Sequence, residues 1–321
     1  MRGGVDLGGT KIEAVVVDED DDVIAQARRP TPTEGGPQAV VEEIARTLRE
    51  AADAAALEPA DLAGVGVGTP GSVDADAGTV ASAGNLPGWQ EPFPLAHALA
   101  DRLGLPVVLG NDVGVAVEAE AALGAGKEYA AFLGVWWGTG VGGAIIVNGK
   151  RWRGRGGAGE IGHMVVKLGG ALCACGGRGC VEAYAGRGAM EQRARRAHAK
   201  GMKTKLFKIM EQKGHPRLTS GVWQEALAQN DQLAERLIAR ALRALAAGTA
   251  SAVNLIDVEA VVLGGGLGTR LGERLIDRLQ AGMLPHLFRD DRPPKVVPAA
   301  LGDLGGAIGA SRLVNEAVKA R

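Results

Sequence analysis

The stretch VDLGGTKIEAVVVD, residues 5–18, decides the fold of the first part of the chain. Apolar residues, several of them β-branched, stand on both sides of Gly8, Gly9 and Thr10, and no helix-start signal follows the glycines. The pattern predicts a β-hairpin with a tight glycine turn. A Rossmann dinucleotide fingerprint is excluded here, because it requires a helix directly after the glycines.

The same arrangement returns in AFLGVWWGTGVGGAIIV, residues 131–147, where glycines again separate two apolar strands. Two such hairpins indicate a duplicated unit. Between them, apolar residues at helical spacing predict helices over 38–56, about 95–103 and about 113–123, which alternate with strands within 63–71 and over 106–110. This alternation predicts an α/β fold.

The chain has 321 residues, more than a single small core requires, and we expect two lobes. An N-terminal α/β lobe is expected over 1–113 and a larger C-terminal α/β lobe, which carries the cysteines, over 114–302. The latter should contain a long helix over about 231–253, capped by Asn230 or Asp231. A last helix, about 303–321, is expected to pack back on the first lobe.

The charge balance favours a small-molecule partner. With 36 basic and 37 acidic residues the net charge is -1, so no global field recruits nucleic acid or an anionic membrane. No apolar run reaches the roughly 20 residues that span a bilayer, and no signal-peptide pattern opens the chain, so we expect a cytoplasmic protein. The acidic run 18–22 should be a solvated hairpin corner, and the basic stretch 200–215 an exposed helix or insertion.

Three glycine-rich turns, DLGGTK, GTGVGG and LGGGLG, each follow an apolar strand. Glycines let backbone N–H groups crowd close to an anion, and Thr10, Lys11 and Thr139 would add a cation and hydroxyls for phosphate oxygens. One such turn alone is ordinary, but three together predict a nucleotide held between the lobes. None fits the Walker phosphate-binding pattern.

All three cysteines lie in EIGHMVVKLGGALCACGGRGCVE, residues 160–182. His163, Cys173, Cys175 and Cys180 supply one imidazole and three thiolates, a set suited to tetrahedral Zn²⁺, and the alternative is buried free thiols beside an unrelated histidine. Four protein ligands leave no position open for an activated water. The predicted zinc is therefore structural, and catalysis must come from another place.

Asp112 stands where a predicted strand ends and a helix begins. It is either a cap for that helix or a base that takes a proton from a substrate hydroxyl in phosphoryl transfer.

Glu160 and Glu182 flank the cysteine loop and are either solvated carboxylates or acceptors for the hydroxyls of a polyol. A zinc-bound His163 would carry its proton on the other ring nitrogen, directed at a ligand hydroxyl. Paired carboxylates also suit a glycosidase, but that chemistry needs no nucleotide turns.

A family resemblance covers most of the chain. It rests on DLGGTK, GTPGSVD, NLPGW, NDVGVAVEAE, GTGVGG, GEIGH, CACGGRGCVE and VVLGGGLG, spread from residue 6 to 268. These motifs resemble the ROK group (repressors, open reading frames and sugar kinases), most closely its bacterial ATP-dependent glucokinases. The resemblance implies the actin-like ATPase fold, with a cleft between two ribonuclease-H-like lobes.

The activity that the resemblance implies is ATP-dependent phosphorylation of a hexose at the 6-hydroxyl, with glucose as the favoured sugar. One alternative is a kinase of N-acetylmannosamine or N-acetylglucosamine. The other is a sugar-responsive repressor, which is disfavoured because the first phosphate turn begins at residue 6 and leaves no room for a helix-turn-helix ahead of it. Relatives are commonly oligomeric, so a homodimer or homotetramer is expected.

The resemblance also implies a role for individual residues. Asp112 would be the catalytic base, Asp6 would lie near the Mg²⁺–phosphate end, and the Cys₃His set would hold zinc. The sugar would be bound by Asn85, Asn111, Asp112, Glu160, His163 and Glu182, and ATP by Gly8, Gly9, Thr10, Lys11, Gly138, Thr139, Gly140, Gly264, Gly265 and Gly266. The chain departs from many members at Gly110, where an acidic residue is common.

Overall fold

The strands belong to two five-stranded sheets and one small two-stranded sheet in a computed structural model that describes residues 1–84, 86 and 88–319. They are β1 (Arg2–Leu7), β2 (Lys11–Val17), β3 (Val23–Pro30), β4 (Val65–Thr69), β5 (Ser72–Asp74), β6 (Thr79–Ala81), β7 (Val107–Asn111), β8 (Phe132–Trp137), β9 (Val141–Val147), β10 (Lys150–Trp152), β11 (Ala260–Gly264) and β12 (Lys295–Pro298).

The helices alternate with the strands along much of the chain. They are α1 (Gly36–Ala54), α2 (Leu95–Leu103), α3 (Asp112–Leu123), α4 (Glu182–Ala185), α5 (Arg187–Ala199), α6 (Leu206–Gln212), α7 (Ser220–Ala228), α8 (Gln232–Ile256), α9 (Gly265–Met283) and α10 (Gly305–Lys319). In the described part of the chain, none of them combines the length and the apolar composition that crossing a bilayer requires.

The first large sheet has the order β3-β2-β1-β4-β7. Strands β1 and β2 form the hairpin that the opening glycine motif predicts, and β4 and β7 continue the sheet in parallel with β1. The carboxyl ends of β1, β4 and β7 therefore share one edge. This edge carries the first glycine turn and the start of α3.

The second large sheet repeats that plan with the order β10-β9-β8-β11-β12. Strands β8 and β9 form an antiparallel hairpin, and β11 and β12 follow in parallel with β8. The shared strand order confirms that the two glycine hairpins open two copies of one unit.

The chain divides into two compact units, one formed by Met1–Ala122 with Leu304–Arg321 and the other by Leu123–Asp303. Each has its own apolar core, centred in the first on residues such as Val5, Ile44 and Leu99 and in the second on residues such as Trp137 and Leu263. The sequence-based boundary after residue 113 falls inside α3.

Several helices begin and end close to the expected residues. Helix α2 spans the predicted 95–103. Helix α8 begins at Gln232, because Asp231 is its N-cap and accepts a hydrogen bond from the backbone N–H of Ala234 over 2.8 Å. Of the two cap candidates, the structure therefore selects Asp231.

The acidic run 18–22 is not simply a solvated corner, and that expectation was wrong for Asp21. The Asp21 carboxylate is nine-tenths buried, lies 3.0 Å from the Arg2 guanidinium and also pairs with Arg312 of α10. The reason is that Arg2 on β1 is itself buried, and a buried cation requires a carboxylate partner. The pairing attaches the hairpin turn to α10.

The basic stretch 200–215 contains helix α6, so a helix was correctly predicted there. Its exposure was predicted only in part, since Leu206, Phe207 and Ile209 are buried in the core of the second unit. The five lysines of the stretch are exposed, and Lys208 is the one that lies within α6. The stretch thus contains a short helix that buries its apolar residues in the second unit.

Candidate functional site

Asn111 and Asp112 lie at the junction of β7 and α3, where the last residue of a parallel strand meets the first residue of a helix. The Asn111 side-chain oxygen accepts a hydrogen bond from the Gly114 N–H over 2.9 Å, which makes Asn111 the N-cap of α3. Its side-chain amide donates to Asp112 Oδ1 over 3.1 Å, and the Val113 N–H donates to the same oxygen over 2.9 Å. The Asp112 carboxylate is therefore held in one orientation without being the cap.

Gly110 precedes this pair because two helices pack tightly at that point. A Cβ on Gly110 would lie 2.7 Å from Cγ1 of Val115 and 2.9 Å from Cδ1 of Leu313. Both distances are shorter than a carbon–carbon contact allows. An acidic side chain in this position would require the side chains of Val115 and Leu313 to shift.

The first glycine turn lies at the end of β1 and is held by its neighbours. The Gly8 N–H donates to the Lys11 carbonyl over 2.9 Å, and the Thr31 hydroxyl donates to the Gly8 carbonyl over 2.6 Å. The Lys11 ammonium pairs with the buried carboxylate of Glu13 over 2.7 Å, and Arg28 pairs with the same carboxylate over 2.7 Å. Two basic side chains thus stand beside this turn.

Asp6 lies at the end of β1, opposite Glu13 in the hairpin register. Its carboxylate packs against the start of α10, where a Cβ on Gly306 would lie 2.8 Å from Asp6 Cγ. The glycine lets the carboxylate approach the helix. Mg²⁺ in proteins takes oxygen ligands from one or two carboxylates together with phosphates, and the Asp6 carboxylate fits that role.

The second and third glycine turns lie side by side in the second unit. They follow the adjacent parallel strands β8 and β11, in which Trp136 pairs with Gly264. A Cβ on Gly264 would lie 2.8 Å from the Trp136 ring, and a Cβ on Gly265 would lie 2.8 Å from the Trp137 backbone. Gly265 also has a φ of 79°. Glycine is therefore required for the two turns to approach each other.

Glu182 connects the second turn with the cysteine loop. Its Oε2 accepts a hydrogen bond from the Val141 N–H over 2.9 Å, directly after the turn. Its Oε1 lies 3.8 Å from the sulfur of Cys173. A Cβ on Gly140 would collide with Oε2, so the carboxylate occupies the space that this glycine leaves.

His163, Cys173, Cys175 and Cys180 form a compact set whose ligand atoms all lie within 4.8 Å of one another. The sulfurs of Cys175 and Cys180 are 3.8 Å apart, and Cys173 Sγ lies 3.9 Å from His163 Nδ1. Thiolates bound to one tetrahedral zinc at ~2.3 Å lie about 3.8 Å apart, so the spacing fits this metal.

The pKa values of these thiols are shifted in different directions. Burial raises the pKa of the Cys173 thiol to about 12 and also raises that of Cys180. The Gly177 N–H lowers the pKa of Cys175, which is exposed. Metal ligation requires the thiolate, and a bound divalent cation supplies the charge that stabilises it.

Glu160 and His163 lie at the two ends of a short 3₁₀ turn that Ile161 anchors in the core. The His163 N–H donates to the Glu160 carbonyl over 3.0 Å. Both side chains are exposed. Because Nδ1 of His163 faces Cys173, Nε2 is the ring nitrogen directed away from the cysteines.

A model of the ROK family matches residues 2–317. The chain belongs to the ROK family. It is 33% identical over 318 residues to a glucokinase of Thermotoga maritima, covering 98% of this chain and 97% of that protein. It is 32% identical over 333 residues to an N-acetyl-D-glucosamine kinase of Yersinia pseudotuberculosis, covering 98% of each.

Solved ROK structures share the fold. A ROK family glucokinase of Streptomyces griseus, in complex with glucose and AMPPNP, superposes with a TM-score of 0.83 at 33% identity, covering 98% of this chain and 99% of that one. The α/β fold and its actin-like ATPase class are thereby confirmed for this ROK protein.

The expected ROK site residues are divided between the two compact units. The first unit holds Asp6, the first turn, Asn111 and Asp112, and the second unit holds the other two turns, Glu160, Glu182 and the Cys₃His set. Asn85, expected from the resemblance to bind sugar, lies outside the described residues.

One side chain at the second turn was missed by sequence reasoning. Arg187, the first residue of α5, donates to the Thr139 hydroxyl over 2.8 Å and to the Ser220 hydroxyl over 3.2 Å. These partners stand 48 and 33 positions away along the chain. No spacing rule links residues so far apart, so only the fold reveals the contact.

Proposed function

We propose that this chain is an ATP-dependent hexose kinase that phosphorylates the 6-hydroxyl of glucose. The observation that carries the proposal is the full-length likeness to the Streptomyces griseus glucokinase, whose structure is a complex with glucose and the ATP analogue AMPPNP. The Thermotoga maritima relative, also a glucokinase, supports the same substrate.

Asp112 is the general base in this proposal. The sugar O6 forms a bond to the γ-phosphorus as the bond from that phosphorus to the β–γ bridging oxygen breaks, and ADP leaves. The proton of the 6-hydroxyl passes to the Asp112 carboxylate. The hydrogen bonds from Asn111 and Val113 support this role, because they fix the carboxylate without using it as a helix cap.

Glu160, His163 and Glu182 bind other hydroxyls of the sugar in this proposal. Zinc, when bound through His163 Nδ1, fixes the tautomer that carries the proton on Nε2. His163 then donates from Nε2, and the two carboxylates accept hydroxyl protons. The contact of Glu182 with both Val141 and Cys173 supports a role for the cysteine loop in orienting the sugar.

The glycine turns bind ATP in this proposal. Backbone N–H groups of the turns donate to phosphate oxygens, and Lys11 and Arg28 place positive charge beside the first turn. Mg²⁺, when bound with the nucleotide, neutralises charge on the phosphates, and Asp6 is the carboxylate that would hold it.

N-acetylglucosamine is the second candidate acceptor. The observation that favours it is the 32% identity to the Yersinia pseudotuberculosis N-acetyl-D-glucosamine kinase, which is close to the identity with the glucokinases. Both sugars present a 6-hydroxyl, so the proposed chemistry at Asp112 is the same for either.

A substrate panel tests the proposal. ADP release with ATP should be measured on glucose, mannose, N-acetylglucosamine, N-acetylmannosamine and 6-deoxyglucose. We expect kcat/KM for glucose to exceed that for each N-acetylated sugar by at least ~tenfold, and 6-deoxyglucose to be inert because it lacks the attacking oxygen. Highest activity on N-acetylglucosamine would favour the second candidate. Equal, background activity on every sugar would refute a hexose kinase.

A further inference from the structure

Arg187 stands at the second glycine turn, where its guanidinium has two neutral partners among the residues that the structure describes. It donates to the hydroxyls of Thr139 and Ser220. In the described part of the chain no carboxylate forms an ion pair with it, whereas Arg2, Arg28 and Arg29 each have one. Glu191, whose charge acts on Arg187, is paired with Arg195 and accepts the Leu218 N–H.

The surroundings of Arg187 penalise an isolated cation. Burial lowers the pKa of its guanidinium, and the positive charge of Arg217 lowers it further, against the attraction of Glu191. Arg187 is nevertheless only partly buried, so a ligand from solvent can reach it. A partly desolvated cation that lacks a counter-ion gains most from an anionic ligand.

The backbone places this cation between the two turns of the second unit. The Arg187 N–H donates to the Gly138 carbonyl and the Gly188 N–H to the Thr139 carbonyl, each over 3.1 Å. Ser220 lies beside the third turn, since a Cβ on Gly266 would be 3.2 Å from its Oγ. The first residues of α5, α7 and α9 therefore meet here, and the positive ends of three helix dipoles add to the charge of the guanidinium.

We propose that Arg187, with the hydroxyls of Thr139 and Ser220, binds the phosphate chain of the phosphoryl donor. This inference rests on the proposed function, because it takes the donor to be a nucleotide held at the glycine turns. Arg187 is then a donor-binding residue of the second unit. The hydroxyls hold the guanidinium fork in the orientation that suits two phosphate oxygens.

The test compares ligands that share adenosine but differ in phosphate. Dissociation constants of Mg-ADP and adenosine should be measured by calorimetry on the full chain and on Arg187→Gln, alongside KM for ATP. We expect ADP binding to weaken by about tenfold to a hundredfold, as for loss of a charge-assisted hydrogen bond, and KM for ATP to rise with it. Adenosine affinity should stay within about twofold. An unchanged ADP constant, or an equal loss for adenosine, would overturn the inference.

Two further variants distinguish phosphate binding by Arg187 from a purely structural role. Arg187→Lys keeps the positive charge but not the two-pronged guanidinium, so it should recover part of the ADP affinity. If Arg187→Lys binds ADP no more tightly than Arg187→Gln, the role of Arg187 is structural. Arg193→Gln is the matched control: Arg193 is a half-buried arginine of the same helix that donates to the Ala183 carbonyl and lies over Tyr184. It should leave ADP binding unchanged, and an equal loss in this control would contradict the proposal.

The outcomes also distinguish this inference from the proposed function. A wild-type chain that binds ADP through Arg187 but phosphorylates no sugar would refute the hexose kinase and keep the donor site. A wild-type chain that phosphorylates glucose, with KM for ATP and ADP affinity unchanged in Arg187→Gln, would refute the donor site alone.

Discussion

The side-chain amide of Asn111 donates a hydrogen bond to Oδ1 of Asp112 over 3.1 Å. The same asparagine caps α3 through its oxygen, which accepts from the Gly114 N–H. From sequence, Asp112 was as plausible a cap as a base. Because Asn111 performs the capping, the structure does not support Asp112 as the cap of α3.

Asp112→Asn should abolish most of the turnover and keep the sugar bound. The substitution preserves size and the acceptor for the Val113 N–H, but an amide takes no proton from a hydroxyl. We expect kcat to fall by about 10²–10⁴-fold and KM for glucose to change by only a few-fold. Steady-state kinetics and a melting curve give both quantities. Near-normal kcat in a folded variant would remove Asp112 as the base.

Asn111 should show two separable contributions when it is replaced by serine and by alanine. Serine still caps a helix but does not reach Asp112, so Asn111→Ser should keep the free energy of unfolding and lower kcat. Alanine loses both contacts, and Asn111→Ala should in addition lose about 1 kcal/mol of stability. Denaturant unfolding and kinetics on the two variants check this. Equal kcat for wild type and serine would contradict an orienting role.

Metal analysis of the purified chain should give about one zinc per chain. Removal by a chelator, or Cys175→Ser, should lower the melting temperature and raise KM for glucose more than KM for ATP, because His163 belongs to the Cys₃His set and Glu182 contacts Cys173. Arg178→Ala, at an exposed residue between the ligands, is the control and should retain the metal. A metal-free chain of full stability and unchanged KM would count against the site.

Much of the fold follows from local patterns in the chain. Gly8-Gly9 and Gly138 stand between β-branched strands, and each pattern by itself specifies a hairpin. The four ligands of the Cys₃His set span only 18 positions, from 163 to 180, so their spacing was sufficient to predict a compact set. In both cases the determining residues are near neighbours in sequence.

The contacts that could not be predicted join distant parts of the chain. Asp21 meets Arg312 only because α10 packs on the first sheet, 291 positions later. Arg187 meets Thr139 because α5 begins beside the β8–β9 turn. Such pairs depend on tertiary packing, and from the sequence alone a charged residue is predicted to be exposed to solvent. This is why the acidic corner was misjudged and Arg187 was overlooked.

Gly140→Ala should impair the site through Glu182 while the fold is kept. Gly140 is not among the residues with positive φ, so its backbone accepts alanine, but the new Cβ would collide with Glu182 Oε2. The carboxylate must then leave the Val141 N–H. We expect kcat/KM for glucose to fall about tenfold or more, as for a misplacement of ~1 Å. Gly157→Ala is the control, since a Cβ there meets nothing within 4 Å, and it should behave as wild type.

A double-mutant cycle with Glu182→Ala decides whether the effect of Gly140→Ala passes through that carboxylate. Once Glu182 is truncated, the added Cβ has nothing to displace, so Gly140→Ala should cost little further activity in the Glu182→Ala background. The two losses in kcat/KM would then be strongly non-additive, as expected for residues in contact. Full additivity would mean that the methyl group acts on the phosphate turn itself, and Glu182 would lose its proposed role as the link between that turn and the cysteine loop.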